Sequence, residues 1–406
     1  MMDRKIETYL AKAGMLGLKI AFEEKDDGSI VLERVQAPGL KKYRVPDFVN
    51  EIGQQAFARS EELESVLIPS SVKVIGRLAF LVCRNLRRVV LTKGLKSLGY
   101  GAFDDCERLE QITLPEGVVR VGDYAFSGCV RLREAGLPGS VKSIGHHAFN
   151  KCTALEEITL PEGTDELGRD LFSDCRRLKK IRVLNPEAVF ADETFLRCYS
   201  LPEAVFLPKM TELPEGLFRS CHGLRRLVIP EGIREVGREA VRYCTNLETL
   251  ELPASLRIIG EKAFIKCAKL ESVHFKPGVE VIGRRSFSEL DKLEEIEFPA
   301  TVSEFGEETF NLCPNLRKVV IGAGGNAGGA VNAAAGAAGP GCAADSGGEI
   351  RIPSVVRLGR RMFRGCPKLE TVDLSGCRAV DIGGADGGFT AFSQMRGGVR
   401  VIMPPK

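Results

Sequence analysis

Residues 115–137 read PEGVVRVGDYAFSGCVRLREAGL, and residues 138–160 read PGSVKSIGHHAFNKCTALEEITL, so two adjacent stretches of equal length share one pattern. In both stretches Pro, Gly, Ala-Phe, Cys and Leu fall at the same positions. A repeat with a fixed period of roughly 20–50 residues is the sequence signature of a stacked repeat architecture. The pattern continues on both sides of this pair, and its period therefore decides the fold.

Three columns of residues keep the 23-residue period. Phe occupies the first column, with Val241 in place of one Phe, and Leu follows six positions later from Leu63 to Leu316 without exception. Cys comes three positions after the Phe column, with Ser60 and Leu290 as the two departures. The Phe column contains Phe57, Phe80, Phe103, Phe126, Phe149, Phe172, Phe195, Phe218, Phe264, Phe287 and Phe310. The Cys column contains Cys83, Cys106, Cys129, Cys152, Cys175, Cys198, Cys221, Cys244, Cys267, Cys313 and, later in the chain, Cys366.

The segment after each Leu predicts a strand. Ile158-Thr159-Leu160 alternates apolar and polar residues, which is typical of a half-buried strand, and the Pro that follows ends it because Pro has no backbone N–H. Ala-Phe-x-x-Cys predicts one short turn, 3₁₀ or helical. A 23-residue unit cannot bury its own apolar face, so the units must stack as the coils of a repeat solenoid. We expect a parallel β ladder and about 14–15 coils.

The repeated core I-G-x-x-A-F-x-x-C-x-x-L resembles the unit of the BspA-like (Treponema-type) leucine-rich repeat proteins. The resemblance covers residues 34–321 without interruption and returns at 350–404. It implies a solenoid of the leucine-rich-repeat type and a function in binding. Many proteins of this family are exported to the cell surface or secreted, where they bind host or neighbouring-cell molecules.

The period also predicts the organisation of the chain. Residues 1–33 do not fit the repeat; two apolar runs flank Asp26-Asp27-Gly28, which predicts a hairpin-like N-terminal cap over the first coil. The solenoid follows at 34–321. Residues 322–349 are rich in Gly and Ala without an apolar period, which predicts a flexible insertion. Residues 350–406 predict the last repeats and a C-terminal cap.

Composition excludes several classes of protein. The chain has 406 residues, 44% of them hydrophobic and 27% charged, so wholesale disorder is excluded. Lys plus Arg number 57 against 54 Asp plus Glu, and a net charge of +3 argues against a dedicated nucleic-acid binder. The sequence shows neither a long apolar segment nor a clear signal peptide. It therefore predicts a cytoplasmic location, with surface exposure or secretion left open.

The cysteines and histidines, which form metal sites and active sites in many proteins, predict no active site in this sequence. The Cys column lies beside buried Phe and Leu positions and lacks the paired short spacing of zinc sites, so buried, unreactive thiols explain it. Cys342 and Cys377 lie outside the column and are the better candidates for reactive thiols. The four histidines are interpreted as solvated surface residues.

The Gly-rich pattern at 322–327 superficially matches a dinucleotide-binding motif, but no βαβ unit surrounds it. We therefore expect no cofactor, no metal and no enzymatic activity.

The outward positions of the predicted strands form the candidate binding surface. Basic and apolar side chains alternate there, which is plausible for a protein interface. The candidate residues are Leu67, Arg88, Val90, Lys180, Arg182, Val205, Arg226 and Val228. Residues 71–103 carry seven basic residues and no acidic one. This region either attracts an anionic partner or keeps a long sheet soluble, and the sequence leaves both open.

One position after the Leu column, Glu64, Arg87, Glu110, Arg133, Glu156 and Lys179 alternate in sign. The alternation predicts a ladder of opposite charges between coils that favours correct stacking.

The leading hypothesis is a non-enzymatic scaffold that binds another protein on its strand face. A rigid sheet loses little entropy on binding, which favours this use. A cell-surface adhesin is the alternative that the family resemblance implies. An enzyme with a site assembled across coils is a weaker third hypothesis.

Overall fold

The computed structural model describes residues 2–36, 38–323, 353, 355–382, 391–393 and 398–405. The chain forms two compact units. The first comprises Met1–Met210 and Pro214–Leu224, and the second comprises Thr211–Leu213 and Arg225–Lys406. Each unit is a stack of coils with the period that the sequence predicts.

The described part of the first unit contains one helix and fifteen strands. Their bounds are α1 Met2–Met15, β1 Lys19–Glu24, β2 Ile30–Gln36, β3 Lys42–Arg44, β4 Glu51–Ile52, β5 Ser65–Ile68, β6 Val74–Ile75, β7 Arg88–Leu91, β8 Ser97–Leu98, β9 Gln111–Thr113, β10 Arg120–Val121, β11 Glu134–Gly136, β12 Ser143–Ile144, β13 Glu157–Leu160, β14 Glu166–Leu167 and β15 Lys180–Val183. From β3 onward, odd-numbered strands follow the Leu column and are called long strands. Even-numbered strands from β4 onward precede the Gly column and are called short strands.

Both kinds of strand pair in parallel with strands one coil away, and the long strands of the first unit form three separate ladders, β3-β5-β7, β9-β11 and β13-β15. In the long strands Ser65 faces Arg88, and in the short strands Ile52 faces Ile75, so each residue meets its equivalent in the next repeat. The short strands of the first unit extend one sheet in the order β1-β2-β4-β6-β8-β10-β12-β14. The sequence predicted the long strands. The short strands are an addition, since only a bend at Gly was expected there.

The Phe column fills the interior of the first unit. From Phe57 to Phe80 the stacked ring centroids are 4.8 Å apart, and the spacing remains 5.7 Å between Phe195 and Phe218. These rings are fully buried, as is the Leu column beside them. Burying one such Phe contributes about 1.5–3 kcal/mol, so the repeated column is a main source of stability.

The Ala-Phe-x-x-Cys segments consist of consecutive turns rather than a helix among the described residues. The residues two before and two after each Phe have positive φ, as at Gln55 (57°) and Arg59 (59°) around Phe57. The backbone N–H groups of these three residues all donate to carbonyls of the next coil. The left-handed conformation therefore lets this side of the coil bond along the stack.

The N-terminal segment contains a helix that the sequence interpretation missed. Strands β1 and β2 form an antiparallel hairpin, and β2 also pairs in parallel with β4, so the cap is continuous with the short-strand sheet. Helix α1 packs on them through Tyr9, whose ring contacts Phe22 and Phe48 at centroid distances of 5.9 and 5.8 Å. The spacing of Ile6, Tyr9 and Ala13 on one helix face is the signal that would have predicted it.

One coil of the first unit has no strand. Between Val183 and the end of this unit, the described residues contain neither a long nor a short strand. In several coils the residue after the Leu column donates its N–H to the coil before, as Lys179 does to Glu156. Pro202 occupies this position and has no N–H to donate. Val205 does not lie on a strand, contrary to the sequence prediction.

The described part of the second unit contains fourteen strands. Their bounds are β16 Glu212–Leu213, β17 Arg226–Val228, β18 Glu235–Val236, β19 Thr249–Glu251, β20 Ile258–Ile259, β21 Ser272–His274, β22 Val281–Ile282, β23 Glu295–Pro299, β24 Glu304–Phe305, β25 Lys318–Ala323, β26 Val356–Arg357, β27 Thr371–Asp373, β28 Val380–Asp381 and β29 Arg400–Ile402. Odd-numbered strands are again long and even-numbered strands short.

The second unit keeps its register across the Gly/Ala-rich segment. Strands β25 and β27 are direct neighbours, with Lys318 facing Thr371 and Val319 facing Val372. Gly322 and Ala323, assigned to the insertion from the sequence, are the last residues of β25. Most of the predicted insertion, including Cys342, lies outside the described residues.

Candidate functional site

The outward side of the long strands in the first unit begins with a mixed basic and apolar patch. Leu67 on β5 and Val90 on β7 face each other in register, and Ser65 faces Arg88 in the same pair. Leu67 and Val90 are half-buried, whereas Arg88 is exposed. Arg88 has no ion pair with any described residue. Its charge is therefore available beside two apolar side chains.

Lys180 and Arg182 form a second basic patch on β15. They face Glu157 and Thr159 of β13 in register, and both side chains are exposed. Neither makes an ion pair within the described part of the chain. Four coils separate them from Arg88, which corresponds to roughly 19 Å at the usual strand spacing.

The remaining candidates differ from these. Val205 is half-buried and outside any strand. Arg226 and Val228 lie on β17 of the second unit, and the Arg226 guanidinium hydrogen-bonds to Glu251. Val228, 43% exposed, faces the same Glu251 across the strand pair. The structure therefore brings Leu67, Arg88 and Val90 together, and Lys180 with Arg182, but neutralises Arg226.

The long strands of the second unit present an acidic surface that the sequence interpretation missed. Glu294, Glu295 and Glu297 are all exposed around β23. The ammonium group of Lys318 on β25 lies 3.9 Å from the carboxylates of both Glu295 and Glu297, so one positive charge is shared between two negative charges. These three acidic residues stand one, two and four positions after Leu293, and this spacing in the sequence was the signal for an acidic surface.

The predicted ladder of alternating charges forms only in part. Lys179 binds Glu156 at 2.9 Å, and this hydrogen bond lowers the pKa of Glu156. Glu64 binds Lys41 in the coil before it, at 3.0 Å, rather than Arg87. Backbone hydrogen bonds join three of the five adjacent pairs: the N–H groups of Arg87, Arg133 and Lys179 donate to the carbonyls of Glu64, Glu110 and Glu156 at 2.8, 2.8 and 2.9 Å. The backbone therefore sets the stacking at these positions.

Part of the basic surface at residues 71–103 is already compensated. Arg84 binds Glu107 at 2.8 Å, and the Arg77 guanidinium lies 5.0 Å from the ring centre of Tyr100. Arg87, Lys93 and Lys96 make no ion pair with a described residue. Together with Arg88, they leave four positive charges between residues 87 and 96 that have no ion pair within the described part of the chain.

A row of aromatic side chains runs along the turn side of the first unit. Tyr100 contacts Tyr124 at 5.3 Å, and Tyr124 stacks on His147 at 4.5 Å. His147 is therefore not a solvated surface residue as predicted: its side chain is 24% exposed and lies 3.8 Å from Asp170. Burial lowers the pKa of His147. Tyr124 and His147 each lie two residues before a column Phe, which is the signal for this row.

The thiols of the Cys column are buried. Most of them donate a hydrogen bond to the backbone carbonyl of a Phe-column residue one coil earlier, as Cys83 does to Phe57 and Cys129 to Phe103. Cys267 donates to Val241, which stands in the Phe column. Burial raises the pKa of Cys83 to about 12.

Cys377 was expected to be reactive, but it is buried too, and burial raises its pKa to about 11. A thiolate is therefore disfavoured at Cys377. The described residues contain no group of three His, Cys, Asp or Glu side chains placed to hold a metal.

The fold and these columns agree with comparisons to known proteins. The BspA type leucine-rich repeat region, in six copies, matches residues 36–136, 119–248 and 234–326. The chain therefore belongs to the BspA-type leucine-rich repeat family. No curated protein matches it.

Solved structures of bacterial leucine-rich repeat proteins share the fold. A leucine-rich repeat protein from Bacteroides ovatus has a TM-score of 0.70 and 21% identity, over 95% of this chain and 98% of that one. The pneumococcal vaccine antigen PcpA has a TM-score of 0.54 and 20% identity, over 96% and 97%. A leucine-rich cell surface protein from Faecalibacterium prausnitzii has a TM-score of 0.50 and 22% identity, over 88% and 94%.

The helix of the described residues lacks the length and apolar character that a bilayer span requires.

Proposed function

We propose that this protein is a non-enzymatic scaffold that binds another protein on the long strands of its first unit. The observation that carries the proposal is the patch of Leu67, Arg88 and Val90. There, an exposed guanidinium that has no ion-pair partner among the residues the structure describes lies beside two half-buried apolar side chains on adjacent, paired strands. Arginine beside apolar surface is the composition in which interface hot spots are enriched.

The backbone of this surface supports the proposal. Val66 and Val89, which alternate with the outward residues, are buried, and both strands are hydrogen-bonded in register. Their outward side chains are therefore held before any partner arrives, and binding costs little backbone entropy. The free charges of Arg87, Arg88, Lys93 and Lys96 favour a partner whose surface is acidic at this point.

Photo-crosslinking and a paired substitution test the proposal. A photo-crosslinking amino acid at position 90 should capture a protein that the same residue at position 119 does not. Arg88→Glu with Val90→Asp should then weaken binding of the purified partner at least tenfold, because one change reverses a charge and the other places a carboxylate on apolar surface.

The matched control is Val119→Asp with Arg120→Glu, which changes the same two residue types at exposed positions on the short-strand side of the same unit. It should change the affinity less than twofold. Equal affinities of the Arg88 and Val90 double variant and the wild type would refute the strand face as the binding surface.

An adhesin on the cell surface is the second candidate. The F. prausnitzii protein with this fold is described as a cell surface protein, and the family resemblance implies exported relatives. Protease treatment of intact source cells, followed by immunodetection of the chain, separates the two. Cleavage on intact cells supports the adhesin, and cleavage only after lysis supports an internal scaffold.

A further inference from the structure

A notch on the first unit is bordered by four arginines and is separate from the Leu67, Arg88 and Val90 patch. Its lining comes from four successive coils. Arg131, Ala154 and Arg177 each lie immediately before a residue of the Leu column, one per coil, and Arg133 and Arg176 complete the rim. We call this depression the arginine notch. It exists because Ala154 has only a methyl group at the position where both neighbouring coils have arginine.

The spacing of the coils places Arg131 and Arg177 on either side of one ligand-sized gap. Adjacent strands lie about 4.8 Å apart, so the backbones of these two residues are roughly 10 Å apart. Two long side chains at that separation can converge over Ala154. A guanidinium offers a planar fork of N–H donors that matches the oxygens of a phosphate or a similar anion.

Most of the positive charge in the notch is uncompensated. Arg131, Arg133 and Arg177 are exposed and form no ion pair with a described residue. Arg176 is already engaged, because it lies 3.2 Å from Asp174 and its guanidinium is 5.5 Å from the ring centre of Tyr199. Glu110 is the one acidic residue of the lining, so the three arginines other than Arg176 and this glutamate leave a net charge of +2.

Two polar side chains next to Ala154 are already engaged. Glu156, two residues after Ala154, is bound by Lys179 at 2.9 Å. The hydroxyl of Thr153 donates to the Val130 carbonyl at 3.0 Å. The backbone N–H of Ala154 bonds to no residue that the structure describes. The notch therefore offers three guanidinium groups that have no ion pair within the described part of the chain, beside the carboxylate of Glu110.

We propose that the arginine notch binds the phosphate or sulfate group of an anionic ligand. Several converging N–H donors and a net positive charge suit a tetrahedral oxyanion, whose oxygens accept more than one hydrogen bond each. The site does not depend on the proposed protein-binding face, so either proposal can be refuted without affecting the other.

Isothermal titration calorimetry with inorganic phosphate and with inorganic sulfate, at constant ionic strength set by chloride, tests the site. The wild type should bind at least one of them saturably. Arg131→Gln with Arg177→Gln should raise the Kd at least tenfold. Ala154→Leu should do the same without changing the net charge, because it fills the notch. Thermal unfolding of each variant establishes that it is folded.

The control is Arg87→Gln with Arg88→Gln, which removes the same charge outside the notch and should change the Kd less than twofold. An equal loss in this control, unchanged binding by Ala154→Leu or the absence of saturable binding would each overturn the proposal. O-phosphoserine and glucose 6-sulfate then distinguish the sources: the ester whose binding is tighter and depends on Ala154 identifies the group that the notch takes.

Discussion

The thiol of Cys129 donates a hydrogen bond to the backbone carbonyl of Phe103, 3.2 Å away in the preceding coil. The same carbonyl accepts the backbone N–H of Cys106 at 3.3 Å. Both side chains of the pair are fully buried. The Cys column is therefore more than apolar filling, because each thiol joins one coil to the previous one where no strand runs.

Replacing Cys129 should show both parts of this role. Cys129→Ala removes the donor and leaves a small cavity, and it should lower the free energy of unfolding by about 1–2 kcal/mol. Cys129→Ser keeps a donor at the same position and should lose less than Cys129→Ala. Urea unfolding of the three proteins measures the difference. If serine were as damaging as alanine, the thiol would act by its volume alone.

The positive φ of Val82 predicts a stabilising substitution. Val82 has φ of 57°, a conformation that is unfavourable for a β-branched residue, and Gly128 and Gly365 stand at the same repeat position. Val82→Gly should raise stability by about 0.5–1 kcal/mol, since the relief of strain exceeds the entropy that Gly loses on folding.

Thermal unfolding of Val82→Gly measures this gain. Val90→Gly on long strand β7 is the control and should be destabilising, because Gly weakens a strand. If both substitutions lowered the Tm, the left-handed position would carry no strain worth relieving.

The strandless coil predicts the outcome of changing Pro202. Pro202→Glu restores an N–H at the position where Lys179 and its equivalents bond to the previous coil. The new amide should bond to the Lys179 carbonyl and exchange its hydrogen at least 100-fold more slowly than an exposed amide. Pro208→Glu, in an exposed turn of the next coil, supplies that exposed amide. Equal exchange rates at positions 202 and 208 would mean that another feature of this coil prevents it from forming a strand.

The pKa of Asp104 predicts a pH dependence of stability. Burial raises this pKa above its ordinary value of 3.8, while a hydrogen bond from Ser127 partly opposes the rise. Between 3.8 and the raised pKa the folded state binds more protons than the unfolded state, so this group makes stability fall as pH rises.

Asp104→Asn removes that dependence and should raise the Tm at pH 7, with the gain vanishing below pH 3.8, where both states hold a neutral group. Asp291→Asn removes the same charge from an exposed position and is the control. A gain that is the same at pH 3 and pH 7 would contradict burial of the charge as the cause.

The repeat made the regular coils predictable. The long strands follow the Leu column, and the Phe and Cys columns are buried, because a residue that recurs once in every repeat meets the same neighbours in every coil. Helix α1, the short strands and the left-handed turns were missed. Two-residue strands leave almost no pattern in a sequence, and the turns depend on hydrogen bonds to the next coil.

The candidate site was predictable only as a list of outward positions. The repeat positions identified Leu67, Arg88 and Val90. Which arginines form an ion pair, however, depends on carboxylates from other coils. Arg226 is bound by Glu251, and Arg88 has no such partner among the described residues. His147 was taken for a surface residue because its stacking partner, Tyr124, lies a whole repeat earlier in the chain.

The sequence by itself determined the family, the period and the residues that face the interior, because those depend on apolar spacing along the chain. Only the tertiary structure decided where that regularity fails and which charges remain unpaired. The coil that contains Pro202 pairs no strand with its neighbours among the described residues, and Ala154 opens a notch because its neighbours across the stack are arginines. Both effects arise between residues of different coils, and contact across the stack is what the chain acquires only on folding.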